Sequence, residues 1–131
     1  MPVVSDFTII HGVGTGLVIG DSGHHPIFET QFNTGGRRST GHAIITFMVR
    51  GLTAATQGPQ IKINNKFAGR VEPARGADPG HWFTQTINIS GALLNDGSNE
   101  FEVHAAPNPL GTDTYDDFVL KNIICHFQQE A

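Results

Sequence analysis

Three aspartates crowd one short stretch of this 131-residue chain: Asp113, Asp116 and Asp117. Carboxylates are hard oxygen donors. A loop of them, helped by backbone carbonyls and by Asp21 or Glu29 from a neighbouring segment, has the chemistry that calcium takes. The spacing matches no dedicated calcium loop such as the EF-hand. A plainer use is open to Asp116 and Asp117, because aspartate in a turn often accepts hydrogen bonds from loop backbone N–H groups. Trp82 and Tyr115, the only tryptophan and the only tyrosine, offer flat apolar faces. Trp82 suits stacking on the C–H face of a sugar ring or, more simply, covering a sheet or a sandwich edge; Tyr115 suits a second platform or a loop anchor. His81, Arg75 and Asp113 carry the donors and acceptors that sugar hydroxyls would need.

Catalytic patterns are missing. There is no G-x-S-x-G elbow, no H-E-x-x-H and no G-x-x-x-x-G-K-[ST]. The run Gly12-Val13-Gly14-Thr15-Gly16 continues like a strand and so has no helix N-terminus for a phosphate; a bend between two short strands is expected. Cys125 lies in an apolar run where a buried, inert thiol is the expectation. A lone cysteine also excludes an internal disulfide and a cysteine-based zinc site. Arg37, Arg38, Arg50, Lys62, Lys66, Arg70 and Arg75 are seven of the eight basic residues. They could form a phosphate- or sulfate-binding face, scattered solvated charge being the simpler assumption.

Whatever these groups do, a folded scaffold must position them. With 38% hydrophobic and 15% charged residues the chain can bury a core, and its length fits one domain over residues 1–131. A formal charge of −4 argues against a nucleic-acid partner. No apolar run approaches the ~18 residues that span a bilayer, so no membrane insertion is expected. The opening MPVVSDFTII lacks a basic n-region and a long apolar stretch, so no secretory leader is expected. Cytoplasmic synthesis is the default, and the compartment stays open.

Sixteen glycines and seven prolines are spread along the chain and leave no window for a long helix. Between them apolar and polar residues alternate. Phe101, Val103 and Ala105 alternate with Glu100, Glu102 and His104; Phe83, Gln85, Ile87 and Ile89 with Trp82, Thr84, Thr86 and Asn88; Ile61 and Ile63 with Gln60, Lys62 and Asn64. Period two marks antiparallel strands with one buried face. The runs 43–49 and 118–127 look apolar on both faces, as central strands do. Strands are predicted at 3–10, 26–33, 42–50, 60–64, 66–72, 82–89, 99–106 and 118–127, with a weaker one at 13–19. A tight turn is expected at Asn64-Asn65, and one helical turn around Ala92–Asn95 ending at Gly97. The whole predicts an all-β sandwich of about eight or nine mostly antiparallel strands.

If consecutive strands alternate in direction, alternate loops emerge together. One end then collects 20–25, 51–59, 73–81 and 107–117, and with them His24, His25, Arg75, Asp78, His81, Asp113, Tyr115, Asp116 and Asp117. The other end collects 34–41, 64–65 and 90–98. The first is chemically richer, and loops on a rigid sandwich commonly carry binding residues.

The run Ile61-Lys62-Ile63-Asn64-Asn65-Lys66-Phe67-Ala68-Gly69-Arg70-Val71 resembles the "xVxxNGxxVG" hairpin of galactose-binding-like jelly-roll domains, with Asn65 where glycine is usual. Leu93-Leu94-Asn95-Asp96-Gly97-Ser98-Asn99-Glu100-Phe101-Glu102-Val103 is similar to their "LxxGxNxxxV" element, and 116–123 to their final strand. The resemblance covers roughly 42–127. It implies a jelly-roll fold found in carbohydrate-binding modules and in the sugar-binding domains of glycoside hydrolases. It also implies a structural calcium near the start of the last strand, for which Asp116 and Asp117 are the candidates. His24-His25 with Glu29 is faintly similar to the first motif of cupins, but adjacent histidines in a strand point to opposite faces.

These observations predict a non-catalytic, lectin-like carbohydrate-binding domain with a shallow loop-end site of Trp82, His81, Arg75, Asp113 and Tyr115. Asp116 and Asp117 would brace the loop, alone or through calcium. A homo-oligomer would add avidity to weak sites. The rivals are a self-associating structural subunit and a small cupin-like metal enzyme.

Overall fold

The computed structural model describes residues 3–12, 16–21, 26–35, 41–74, 78–110 and 114–130. Among the described residues nine strands follow in chain order: β1 (Val3–His11), β2 (Leu17–Ile19), β3 (Ile27–Asn33), β4 (His42–Arg50), β5 (Gln60–Ile63), β6 (Lys66–Arg70), β7 (Phe83–Ser90), β8 (Ser98–His104) and β9 (Phe118–Glu130). They build two antiparallel sheets in the crossed order of a jelly-roll sandwich. One sheet runs β1-β9-β4-β7, with β2 also pairing β9; the other runs β3-β8-β5-β6. Observed strand ends differ from the predicted ones by a few residues. Of the weak strand at 13–19, 17–19 is seen and 13–15 lies outside the described residues.

The period-two residues meet between the sheets. Ile61, Ile63, Phe101 and Val103 from one layer pack with Ala43, Ile45, Phe47, Val49, Phe118, Leu120, Ile123 and Cys125 from the other, all nearly inaccessible. Each large apolar side chain so buried contributes about 1.5–3 kcal/mol. The two runs that looked apolar on both faces are indeed the central strands, yet neither is buried twice. In β4 the residues between the core positions, Ile44, Thr46 and Met48, are only half-buried.

In β9 the pattern slips phase. Asn122 takes a left-handed φ of 54°, and the register against β4 shifts between Thr46 and Met48. The bulge lets Leu120 and Ile123 both face inward while Lys121, paired with Met48, faces outward. A phase slip of this kind hides a plain alternation from a sequence reading.

Asparagine side chains close one end of the sandwich. Asn64 and Asn65 adopt φ of 51° and 65°, the two left-handed conformations of a type I′ hairpin turn. Asn99 is 1% exposed. Its Oδ1 accepts from the Asn95 N–H (2.7 Å) and Asn64 Nδ2 (2.9 Å), and its Nδ2 donates to the Asn95 and Gly97 carbonyls. The helical turn is a 3-10 turn at Gly91–Leu93, earlier than predicted. It stops there because the Asn95 N–H goes to Asn99 and Leu94 is extended.

Candidate functional site

At the opposite end, carboxylates hold the loops. Asp116, only 5% exposed, accepts the Ala54 and Ala55 N–H groups on Oδ2, both at 2.8 Å. Asp117 Oδ1 accepts the Asp21 N–H at 2.7 Å, and Asp21 Oδ2 accepts the Tyr115 N–H at 2.8 Å. Gly20 precedes Asp21 with a φ of 148°, and a Cβ there would overlap the Asp117 carboxylate. The Ala74 N–H reaches the Leu52 carbonyl at 2.8 Å. Segments near 20–21, 51–55, 74 and 115–117 therefore meet, the grouping that strand parity predicts.

Each N–H donated to an ionised carboxylate contributes about 1.5–3 kcal/mol. It also aims a positive dipole at the oxygen a cation would use. Both N–H groups on Asp116 fall on one oxygen, so that oxygen is spent on bracing. Among the described residues no three His, Cys, Asp or Glu side chains are grouped to hold a metal.

Trp82 directly precedes β7, and alternation turns it to the outer face of the five-stranded sheet. A Cβ placed on Gly16 would lie 3.5 Å from Trp82 Cη2, so the indole reaches Gly16, ahead of β2. The Lys121 ammonium lies 4.5 Å from the ring centroid and the Arg50 guanidinium 5.1 Å. A cation over a ring near the protein surface gains about 0.5–1 kcal/mol, far less than full pairing with an anion. Among the described residues neither cation has a carboxylate partner, and buried Arg50 Nε has no acceptor. Such an orphan donor is unusual in a folded protein.

Of the other predicted site residues, His81 is exposed, with its N–H on the Asp78 carbonyl in a turn. Tyr115 is half-buried and bridges to Pro107. Arg75 and Asp113 lie outside the described residues, as do His24 and His25. Sequence reasoning missed the convergence of Arg50 and Lys121 on Trp82. Arg50 ends an apolar strand and Lys121 interrupts one, but only the sheet register shows that they flank one ring.

Farther along the same outer face runs a trough of about 490 Å³, lined among others by His42, Thr46, Thr86 and His126. Exposed Phe7 sits beside it, its ring 6.5 Å from that of His126. The outer face of the other sheet is acidic, with Glu29 directly opposite Glu102 and Glu100 close by. His104 Nε2 meets Glu102 at 2.9 Å there. Burial pushes the Cys125 thiol up to about 12, which leaves it unreactive.

The amino-acid sequence matches no protein-family model and no curated protein. In three dimensions the chain is similar to part of a β-porphyranase of glycoside hydrolase family 86 from Bacteroides plebeius, with a TM-score of 0.59 and 15% identity. That match covers 97% of this chain and 21% of the enzyme, so the chain spans about a fifth of the porphyranase. A family 35 carbohydrate-binding module from Cellvibrio japonicus matches with a TM-score of 0.56 and 13% identity, covering 94% of this chain and 92% of the module. A family 36 module of a xylanase from the hindgut metagenome of Trinervitermes trinervoides matches at 0.52 and 9% identity, covering 94% and 96%. At these identities the likeness is one of fold. The chain is a jelly-roll β-sandwich, the architecture of those modules.

Proposed function

We propose that the chain is a non-catalytic carbohydrate-binding domain whose ligand lies where the loop end meets the outer face of the five-stranded sheet. The observation that carries this is Trp82, a half-buried indole spread over that face with two polar cations against it. A sugar needs such a combination: apolar area for its C–H face and donors for its hydroxyls. In this reading His81, Tyr115, Arg75 and Asp113 would contribute the further contacts to the sugar. Asp116 and Asp117 hold the loops through backbone N–H groups. A calcium ion would add to this only through oxygens those donors leave free.

A glycan array run with calcium and again with a chelator tests the proposal. Saturable binding to related glycans is expected, lost in Trp82→Ala while the fold persists. Loss on chelation would assign calcium a role, and a blank array in both conditions would remove the carbohydrate reading. A second reading, self-association as a structural subunit, rests on Phe7 and Ile9, which are 61% and 55% exposed on edge strand β1. Light scattering decides it: a monomer at working concentration rules it out.

A further inference from the structure

We infer that the Trp82 site selects acidic sugars, taking a pyranose that carries a carboxylate or a sulfate ester; this rests on the carbohydrate reading above. Arg50 leaves β4 and Lys121 leaves β9 on the same outer face, Lys121 turned there by the Asn122 bulge. Both approach one indole, at 5.1 and 4.5 Å from its centroid. Neither meets a carboxylate among the described residues, although the chain holds twelve acids to eight basic residues.

Two other basic side chains are engaged differently. Arg70 Nη1 donates to the Gly58 carbonyl and His104 binds Glu102. Arg50 and Lys121 differ in converging on one ring, with the buried Arg50 Nε left without an acceptor, which places two charges beside one apolar platform. A neutral sugar would use the indole and leave that charge idle. An anionic one places its C–H face on the ring and its oxygens on the ammonium and guanidinium, and charge-assisted bonds of this kind are the strong ones. The overall charge of −4 repels polyanions in general, so selective binding of one requires a local site.

The probes are two matched polymer pairs: polygalacturonate with its methyl ester, and a sulfated galactan with its desulfated form. Affinity is measured on the full chain at low and at high salt. One acidic polymer is expected to bind about tenfold or more tighter than its neutral partner, an advantage that salt erodes. The pair that shows it identifies carboxylate or sulfate as the anion. Lys121→Gln should bring that ratio close to one, while Lys62→Gln, an equal charge change on the other sheet, should leave it intact. Circular dichroism checks that both variants are folded.

Equal affinity for acidic and neutral partners overturns the inference and leaves the carbohydrate reading standing. Equal losses in both variants also overturn it, since the effect would then be one of net charge. Failure of all four polymers together with a blank glycan array removes both.

Discussion

The two ends of the sandwich are closed by different chemistry. At the hairpin end, Asn64 and Asn99 spend their amide groups on each other and on the backbone around residues 93–100. At the loop end, Asp116 and Asp117 are spent on backbone N–H groups, but Arg50 and Lys121 close by meet an aromatic face and, among the described residues, no carboxylate. An end whose polar groups satisfy one another is a scaffold. An end that sets two cations against a half-buried ring is the one the proposed carbohydrate site uses.

That contrast can be broken by mutation. Asp116→Ala should have the largest effect on stability. It strands two buried N–H groups and removes two charge-assisted bonds, a loss of about 3–5 kcal/mol by urea denaturation. Ligand binding should weaken with it as the loop end loosens. Asn99→Ala should cost about 2–4 kcal/mol, because four hydrogen bonds go and a cavity is left. Here affinity at a temperature where the variant is folded should hold; a matching loss of affinity would erase the distinction between scaffold end and ligand end.

Smaller changes sharpen the comparison. Gly97 has a φ of 84° with open space where a Cβ would go, so Gly97→Ala introduces backbone strain alone, about 1 kcal/mol. Lys121→Gln should shift stability by less than about 0.5 kcal/mol, as surface substitutions do, while lowering affinity for an acidic glycan. Cys125 reports on the core between the ends. With its thiol pushed up to about 12, it carries almost no thiolate at about pH 8. Alkylation there should await unfolding and run fastest in Asp116→Ala.

Much of this was legible in the residues. Alternation at 60–64, 82–89 and 99–106 announced strands and their buried faces, since a strand shows its two sides in turn whatever it packs against. Asn64-Asn65 announced the hairpin because asparagine tolerates the left-handed region. Strand parity was enough to say which loops share an end. Asp116 and Asp117 were visible as loop acids, but which N–H groups they hold depends on residues about sixty and ninety-six positions away.

The chain by itself therefore determined the class of fold, the hairpin and the membership of the two ends, all of which follow from local periodicity and turn chemistry. Tertiary structure alone decided that Trp82 lies over the sheet with Arg50 and Lys121 against it. Those residues come from three different strands or their flanks, and the bulge at Asn122 sets which way Lys121 points. Side-chain convergence of that kind depends on sheet order and register, which are fixed by long-range pairing and leave no trace in local spacing.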